Sequence, residues 1–414
     1  MGRGASADTE VVVVGAGLAG LAAAHHLSRH GCDVVVVEAS DQAGGRVRTD
    51  SVDGWRLDRG FQVFNTAYPE PGRVLDPGAL DLQAFYPGVA VYAGGRLHYL
   101  AHPLRKPGRM LTTLRAPVGS AVAKAGLGLL SARDALVPAS RLKALADMST
   151  AVALGGWGLS GPLVAQFLRP FLSGVFLEGD LETSARFFHL VWRTFIRGRI
   201  CVPARGMQAI PQQLAAGIAG LRLGQPVVAV GPGSVRLAGG EFLHARAVVV
   251  ATDPGTATEL VPSLPAVAMH GVTTFYHRAP ELSAPPPVLV LDGEERLIAN
   301  TAVLTEVAPS YGPGGGSLVS TSVLAAPDEA VEPAVRARLA ALYGTGTASW
   351  DLLATYRLPA ALPAVPPAHP LRQPVRIEPG LYICGDHRDT PSIQGAMVSG
   401  RRAAQAVLAD WGAS

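Results

Sequence analysis

The spacing of apolar residues near the N-terminus predicts a strand, a helix and a second strand. Residues 11–14 are four consecutive valines, which is typical of a parallel strand buried on both faces. Residues 18–30 have apolar side chains at helical spacing and are followed by Gly31, a common residue just past a helix end. Residues 33–38 contain four more consecutive valines and end in an acid. Together these segments predict one complete βαβ unit.

Turn residues and apolar alternation divide the rest of the chain. Residues 225–243 contain short apolar segments separated by two glycine turns, which predicts a β-meander. Residues 101–177 predict a mainly helical part. The other predicted elements are a hairpin over 89–100, a buried strand over 247–253, strands within 270–325 and 352–356, a strand over 380–386 and a final helix over 398–409.

The turn between the first strand and the first helix has a glycine pattern that suits a dinucleotide. Gly15 allows the sharp turn, Gly17 lets the backbone approach a pyrophosphate, and Gly20 lets the helix pack on the strand. The helix N-terminus offers free N–H groups and a partial positive charge to the phosphates. Glu38 ends the second strand, where its carboxylate can accept hydrogen bonds from a ribose diol. A glycine-rich packing turn without a ligand is the alternative interpretation.

The residues after Glu38 resemble a flavoprotein superfamily. Gly44, Gly45 and Arg46 match the extension that follows the ribose acid in flavin amine oxidases, protoporphyrinogen oxidases and phytoene desaturases. The resemblance therefore implies FAD as the cofactor rather than NAD. The glycines let the loop lie against the pyrophosphate, and the Arg46 guanidinium can neutralise it. A surface turn with solvated arginines is the alternative.

Further segments resemble the same superfamily. Residues 57–61 resemble the segment that passes the flavin ring, and Val227 resembles the residue whose backbone contacts the adenine. Residues 380–397 resemble the closing motif, in which Asp386 takes the ribityl role and the next helix points its N-terminus at the isoalloxazine. Both chain ends are thus expected to build one site. The residues implied for FAD binding are Gly15, Gly17, Ala19, Gly20, Glu38, Gly44, Gly45, Arg46, Gly60, Phe61, Val227, Gly385, Asp386, Gln394, Gly395 and Ala396.

This resemblance implies an α/β fold with two domains. A discontinuous, Rossmann-like FAD-binding domain is expected over residues 1–75, 200–268 and 368–414. An interleaved α+β substrate domain is expected over 76–199 and 269–367, with 101–177 as its basic, mainly helical part.

Composition restricts the class of protein further. Of the 414 residues, 48% are hydrophobic and 16% are charged, which excludes a disordered chain and indicates large buried or ligand-facing surfaces. The net charge of +3 does not indicate a nucleic-acid partner. The three cysteines lie far apart without a C-x-x-C pair. The sequence therefore predicts no disulfide framework and no metal site, and a reducing, cytoplasmic location.

Basic charge is concentrated in residues 101–177. This stretch has nine basic and two acidic side chains, a net charge of +7, and contains all three lysines of the chain. A basic, apolar helical surface can lie on an anionic membrane and take a lipid-soluble substrate from it. A solvated basic face is the alternative. The apolar run 11–27 is not predicted to span a membrane, because a glycine turn divides it into a strand and a helix.

The resemblance to desaturases and protoporphyrinogen oxidases implies dehydrogenation of a mostly apolar small molecule, such as an isoprenoid, polyene or porphyrinogen-like compound, by hydride transfer to flavin N5. Amine oxidases of the superfamily commonly place a lysine in the middle of the substrate domain, whereas residues 144–414 contain no lysine. An amine oxidase is the nearest alternative. A flavin isomerase without net redox and a non-catalytic FAD-containing binding protein are two others. The sequence does not specify the electron acceptor.

No side chain is assigned as a catalytic residue. The candidates for positions near the flavin are Gln62, Arg205, Met207 and His387. Arg205 and Met207 stand where relatives often have a Gly-Gly-Met-like turn, and His387 directly follows the predicted ribityl acid. Aromatic residues within 167–176 and 184–192 either pack in a core or line the substrate site.

Overall fold

The computed structural model describes residues 8–282, 286–325 and 331–412. The ends of the predicted FAD-binding domain, residues 1–7 and 413–414, lie outside the described residues, as do 283–285 and 326–330 of the predicted substrate domain.

The elements follow in chain order. Up to residue 101 they are β1 (Thr9–Val14), α1 (Leu18–Arg29), β2 (Val34–Val37), β3 (Thr49–Val52), β4 (Trp55–Asp58), β5 (Phe64–Asn65), α2 (Pro71–Val74), β6 (Leu82–Ala84), β7 (Gly88–Ala93) and β8 (Arg96–Ala101). The middle of the chain contains α3 (Met110–Arg115), α4 (Ala121–Leu136), α5 (Ala139–Lys143), α6 (Thr150–Gly156), α7 (Arg169–Phe176), α8 (Ala185–Arg197), β9 (Ile200–Pro203), α9 (Ala209–Ala215) and β10 (Gly220–Arg222). The remaining elements are β11 (Val227–Gly231), β12 (Ser234–Leu237), β13 (Phe242–Val250), α10 (Pro254–Leu260), β14 (Met269–Ala279), β15 (Leu289–Asp292), β16 (Asn300–Val303), α11 (Leu304–Val307), β17 (Ser317–Leu324), α12 (Glu332–Tyr343), β18 (Asp351–Pro363), β19 (Arg376–Glu378), β20 (Leu381–Ile383) and α13 (Ile393–Asp410).

The first sheet has a parallel centre, as the valine runs predict. β2, β1, β13 and β20 lie side by side and run parallel, and β10 extends the sheet beyond β2. Successive valines of β1 face opposite sides of the sheet, and both sides are buried. This double burial is why its strands lack polar alternation. The fold is α/β, as predicted.

One prediction about this sheet was wrong. The last strand of the meander and the buried strand after it are a single strand, β13, which pairs antiparallel with β12 and parallel with β1. The polar residues His244 and Arg246 suggest a break, but they face outward along a continuous strand because side chains alternate between the two faces.

Helices α1 and α13 pack against each other on one face of the first sheet. A Cβ at Gly400 of α13 would lie 2.1 Å from the carbonyl oxygen of Ala19 in α1, so the two backbones touch. Helix α13 begins at Ile393, five residues before the predicted start, because the Ser392 side chain accepts a hydrogen bond from the Gly395 N–H and caps it.

The second sheet has the strand order β18-β14-β17-β16-β15-β7-β8. α12 covers one of its faces, and the other faces the first sheet. The strands of the first sheet lie within 9–37, 220–250 and 376–383, and those of the second within 88–101 and 269–363. A small sheet, β5-β9-β6, joins strands from both predicted domains, and the exact domain boundaries stay a prediction.

The helices α3 to α8 form a cluster that packs on β7, β8 and β15 of the second sheet. Its core contains Leu130 of α4, Phe171 of α7 and Trp192 of α8. This agrees with the helical pattern predicted for 101–177. Among the described residues, no helix is both long enough and apolar enough to span a bilayer.

Candidate functional site

A cavity of about 2040 Å³ extends from the glycine turn after β1, past both sheets, to α4, α7 and α8. Drug-sized ligands usually occupy sites of about 300–1,000 Å³, so this cavity has room for more than one such molecule. The residues predicted to bind FAD that line it are Gly15, Gly17, Ala19, Glu38, Gly44, Gly45, Arg46, Gly60, Phe61, Val227, Gly385, Asp386 and Ala396. Gly20, Gln394 and Gly395 do not line it.

The glycine turn is shaped by close backbone contacts. A Cβ at Gly20 would lie 2.0 Å from the carbonyl oxygen of Gly15, so only glycine lets α1 begin this close to β1. A Cβ at Gly17 would have no atom within 4 Å, so it would point into open space in the cavity. Gly17 precedes α1, which has no side-chain cap and no acid in its first turn. Its first N–H groups therefore face a site that suits a phosphate.

Glu38 lies directly after β2, and backbone and side-chain donors hold its carboxylate in place. Its Oε2 accepts a hydrogen bond of 2.7 Å from the Ala16 N–H, and its Oε1 accepts bonds from the N–H and hydroxyl of Ser40. The Glu38 side chain thus fixes the glycine turn, a role that its position in the sequence did not reveal. Because a carboxylate has about four acceptor sites, it can still bind a ribose diol.

Arg46 joins the two ends of the chain. The Gly44 N–H donates to the Ala16 carbonyl over 2.8 Å, which fixes the start of the loop. Arg46 Nη2 then lies 2.5 Å from Asp386 Oδ1, and its Nη1 donates to the Ala361 carbonyl. Sequence reasoning assigned Arg46 and Asp386 to different parts of FAD and did not predict that they would pair.

The start of α13 forms another wall of the cavity. A Cβ at Gly395 would lie 1.8 Å from the Thr390 carbonyl oxygen, so the turn before the helix requires glycine there. Gln394 accepts a hydrogen bond from the Glu70 N–H through Oε1 and is turned away from the cavity. Ala396 lies on the cavity wall, and α13 has no acid in its first turn to neutralise its partial positive charge.

Of the four candidates for positions near the flavin, the structure places Gln62 on the cavity wall. Its Nε2 donates to the carbonyls of Arg46 and Arg59. Arg205 does not line the cavity and is exposed, because the tight turn closed by the Gly206 N–H and the Pro203 carbonyl directs it outward. Met207, by contrast, points into the core.

His387 also lies behind the cavity wall. Its Nδ1 is 2.4 Å from where a Cβ of Gly385 would be, so its ring fills the space that this glycine leaves. Burial lowers the pKa of His387 to about 4 because a charged imidazole would lose its hydration. It is therefore neutral near pH 7.

Asp58 is a buried acid to which the sequence analysis gave no role. Its side chain accepts hydrogen bonds from the Thr49 hydroxyl, the Met207 N–H and the Tyr311 hydroxyl. The carbonyl of Asp58 also accepts a bond from the Tyr276 hydroxyl. Burial raises the pKa of Asp58 to about 6. In the sequence, Asp58 shows only as an acid next to the apolar Leu57, which the structure buries fully. This cluster fixes the start of the segment that resembles the one passing the flavin ring.

Several aromatic residues of α7 and α8 both pack in a core and line the cavity. Phe171 and Trp192 belong to the core of the helical cluster, with ring centroids 5.9 Å apart in an edge-to-face arrangement. Both also line the cavity, as do Phe167 and Phe187. Core packing is therefore observed, and lining of the substrate site stays a prediction.

The glycine turn, Glu38, Arg46 and Asp386 together form a cradle that fits a dinucleotide. It combines free helix N–H groups, a glycine whose missing side chain leaves space, a carboxylate at a strand end and a paired arginine. These features match a pyrophosphate and a ribose. Within the described ranges, no group of three or more metal-ligating side chains occurs.

Comparisons with known proteins agree with this geometry. The family described as flavin containing amine oxidoreductase matches residues 18–408. Hydroxysqualene dehydroxylase of Rhodopseudomonas palustris is 29% identical over 96% of this chain and 98% of its own. An oxidoreductase structure from Methanosarcina mazei has a TM-score of 0.74 at 18% identity, covering 96% of this chain and 100% of that one. The structure of putrescine oxidase bound to putrescine has a TM-score of 0.69 at 19% identity, covering 97% of this chain and 99% of that one.

Proposed function

This chain belongs to the flavin-containing amine oxidoreductase family, and on that premise we propose that it dehydrogenates a long, mostly apolar small molecule. It is an FAD-dependent oxidoreductase, and FAD supplies the hydride acceptor when bound. The observation that carries the proposal is that one cavity contains both the dinucleotide cradle and the apolar walls of α7 and α8.

The residues of this apolar part can bind and orient such a molecule. Leu163, Phe171 and Val175 line it together with Trp192, and burying an apolar chain against them is favourable by about 25 cal/mol per Å². Their packing also excludes water from the substrate. Gln62, fixed by its bonds to two backbone carbonyls, lies on the cavity wall beside the predicted flavin loop.

The charges on the cavity wall disfavour an amine. The acidic residues that line it are Glu38, Asp253 and Asp386, all on the dinucleotide side. The described lining residues within 85–200 and 272–362 include no acid but five basic residues, namely Arg105, Lys106, Lys124, Arg197 and Arg199. A substrate ammonium would be repelled there. The relative named for hydroxysqualene, an isoprenoid-type molecule, further supports an apolar substrate.

A porphyrinogen is the second candidate. Lys106, Arg197 and Arg199 are exposed basic residues at the cavity lining, and basic side chains of this kind bind carboxylates. A porphyrinogen combines carboxylates with a large apolar ring.

Anaerobic mixing of the holoenzyme with a panel of compounds tests the proposed function. We expect a long isoprenoid, phytoene or geranylgeraniol, to bleach the yellow flavin absorbance and putrescine to leave it unchanged. Bleaching by coproporphyrinogen would favour the second candidate. Mixing the reduced enzyme with hydroxysqualene tests the reaction for which the relative is named. Fast bleaching by putrescine would overturn the proposal. A product of unchanged mass would instead indicate isomerisation.

We further propose that residues 104–115 rest on an anionic membrane surface, from which the substrate enters. Leu104 and Leu111 have 84% and 57% of their surface exposed, and Arg105, Lys106 and Arg109 lie among them. Exposed apolar side chains combined with basic ones are typical of an interfacial helix. Leu104, Met110 and Leu114 also line the cavity, so a lipid-soluble molecule could pass directly from the bilayer into it.

Vesicle co-sedimentation tests this contact. Leu111→Ser removes an exposed apolar side chain that does not line the cavity. Binding to vesicles of phosphatidylcholine and phosphatidylserine should weaken about fivefold, because the lost partial burial is worth about 1 kcal/mol. Phe242→Ser, at a residue with 55% exposure on β13, is the matched control and should bind as the wild type does. Equal binding by both variants would contradict the contact.

A further inference from the structure

A row of polar residues crosses the face of the second sheet that is turned towards the first sheet. Asn300 of β16 is paired with Ser322 of β17, and Ser322 is paired with Thr274 of β14. Directly paired residues of neighbouring strands have their side chains on the same face. Thr274 is in turn paired with Tyr356 of β18, so the row spans four strands.

Three oxygen atoms of this row are buried without a hydrogen-bond partner. Asn300, Ser322 and Thr274 are 3%, 2% and 0% exposed. Among the described residues, Asn300 Oδ1, Ser322 Oγ and Thr274 Oγ1 have no partner. About nine in ten buried polar groups are hydrogen-bonded in folded proteins. Where such exceptions face a cavity, they indicate that something outside the chain bonds to them.

Two of these residues, Asn300 and Ser322, line the cavity, whereas Thr274 does not. Their neighbours on the wall include Val272 and Leu358. Leu358 Cδ1 lies 2.9 Å from where a Cβ of Gly60 would be, and Gly60 belongs to the segment that resembles the one passing the flavin ring. The polar pair thus lies in apolar surroundings close to the predicted position of the flavin.

The chemistry of the row restricts the ligand. An amide and a hydroxyl are both neutral, and each can donate as well as accept. They match a neutral oxygen group, a hydroxyl or a carbonyl. They do not offer the negative charge that an ammonium needs or the positive charge that a carboxylate needs.

We infer that Asn300 and Ser322 form a subsite that binds one neutral oxygen function on an otherwise apolar substrate. The inference rests on the proposed function and makes it more specific. The substrate is an apolar chain with a single hydroxyl or carbonyl group, held by this pair near the flavin while the chain extends along α7 and α8.

Gly174 of α7 makes the subsite sensitive to a small change. A Cβ at Gly174 would lie 2.3 Å from Asn300 Nδ2, and the end of a flexible side chain can move away at little cost. Gly174→Ala is therefore expected to displace the Asn300 amide while the fold stays intact.

Equilibrium titration of the oxidised holoenzyme in detergent tests the subsite, with the flavin difference spectrum as the readout. The two ligands are geranylgeraniol and the hydrocarbon that lacks its hydroxyl. We expect the wild type to bind the alcohol at least about tenfold more tightly, because the hydrocarbon leaves the buried polar pair without partners.

The variants Ser322→Ala and Gly174→Ala should each reduce this preference severalfold without changing the affinity for the hydrocarbon. Thr274→Val is the matched control, because it removes an equally unpartnered hydroxyl of the same row that does not line the cavity. It should retain the wild-type preference.

The outcomes separate this inference from the proposed function. If both ligands bind and neither Ser322→Ala nor Gly174→Ala changes their ratio, the subsite is refuted and the row holds only water. If neither ligand binds and the flavin reacts with putrescine, the proposed function itself has failed.

Discussion

Gly17→Ala is expected to weaken FAD binding about tenfold to 100-fold while the apoprotein stays folded. The backbone of Gly17 has φ −72°, which alanine adopts without strain. A Cβ there would contact no protein atom within 4 Å, but it would occupy the space that the cradle leaves for the pyrophosphate. Inserting a methyl group into a filled site costs about 1–3 kcal/mol. Fluorescence titration of the apoprotein with FAD measures the change.

Gly72→Ala is the matched control. Its Cβ would also meet nothing within 4 Å, but Gly72 is exposed on α2 and does not line the cavity. Both variants should unfold in urea close to the wild-type midpoint, because alanine in place of Gly17 before α1 changes stability by less than about 1 kcal/mol. Unchanged FAD affinity in Gly17→Ala would place the pyrophosphate elsewhere.

Asp58→Asn is expected to change the pH dependence of stability. Burial raises the pKa of Asp58 from 3.8 to about 6 in the folded protein. A raised folded-state pKa means that folding favours the protonated acid, so this group's contribution to stability is present at low pH and is lost as the pH rises from 3.8 to about 6. The asparagine variant does not have this loss. Its free energy of unfolding relative to the wild type should rise by about 3 kcal/mol between pH 3.5 and pH 8.

Urea unfolding at several pH values measures this difference, and contributions from other titrating groups cancel between the two proteins. Asp50→Asn is a control of opposite sign. Burial opposes ionisation of Asp50, but hydrogen bonds from Arg59 and Tyr356 hold its pKa below the usual value. Replacing the Asp50 carboxylate should destabilise the protein near pH 7 and less so in acid. Parallel stability curves for the wild type and Asp58→Asn would show that Asp58 titrates alike in both states.

The parts of the fold that local sequence determines could be predicted. The valine runs, the glycine turn and the terminal acid lie within 30 residues, and the structure forms β1, α1 and β2 there. The meander was divided wrongly because β13 changes its partner from β12 to β20, and this change has no pattern in the local sequence. The start of α13 was placed too late because the capping bond of Ser392 was not considered.

The features that depend on distant residues could not be predicted. The 2.5 Å pair between Arg46 and Asp386 joins opposite ends of the chain. The polar row of Asn300, Ser322 and Thr274 exists only through strand register, which is set by the packing of whole sheets. The turn that directs Arg205 into solvent is, by contrast, a local feature, but the Gly-Gly-Met-like resemblance did not contain it.

The contact between Gly400 and Ala19 has a consequence for biosynthesis. Since α13 both packs on α1 and completes the cradle, synthesis must pass α13 before the cofactor site can close. A chain that stalls before α13 is therefore expected to emerge colourless and to expose the apolar side of α1 to proteases and chaperones.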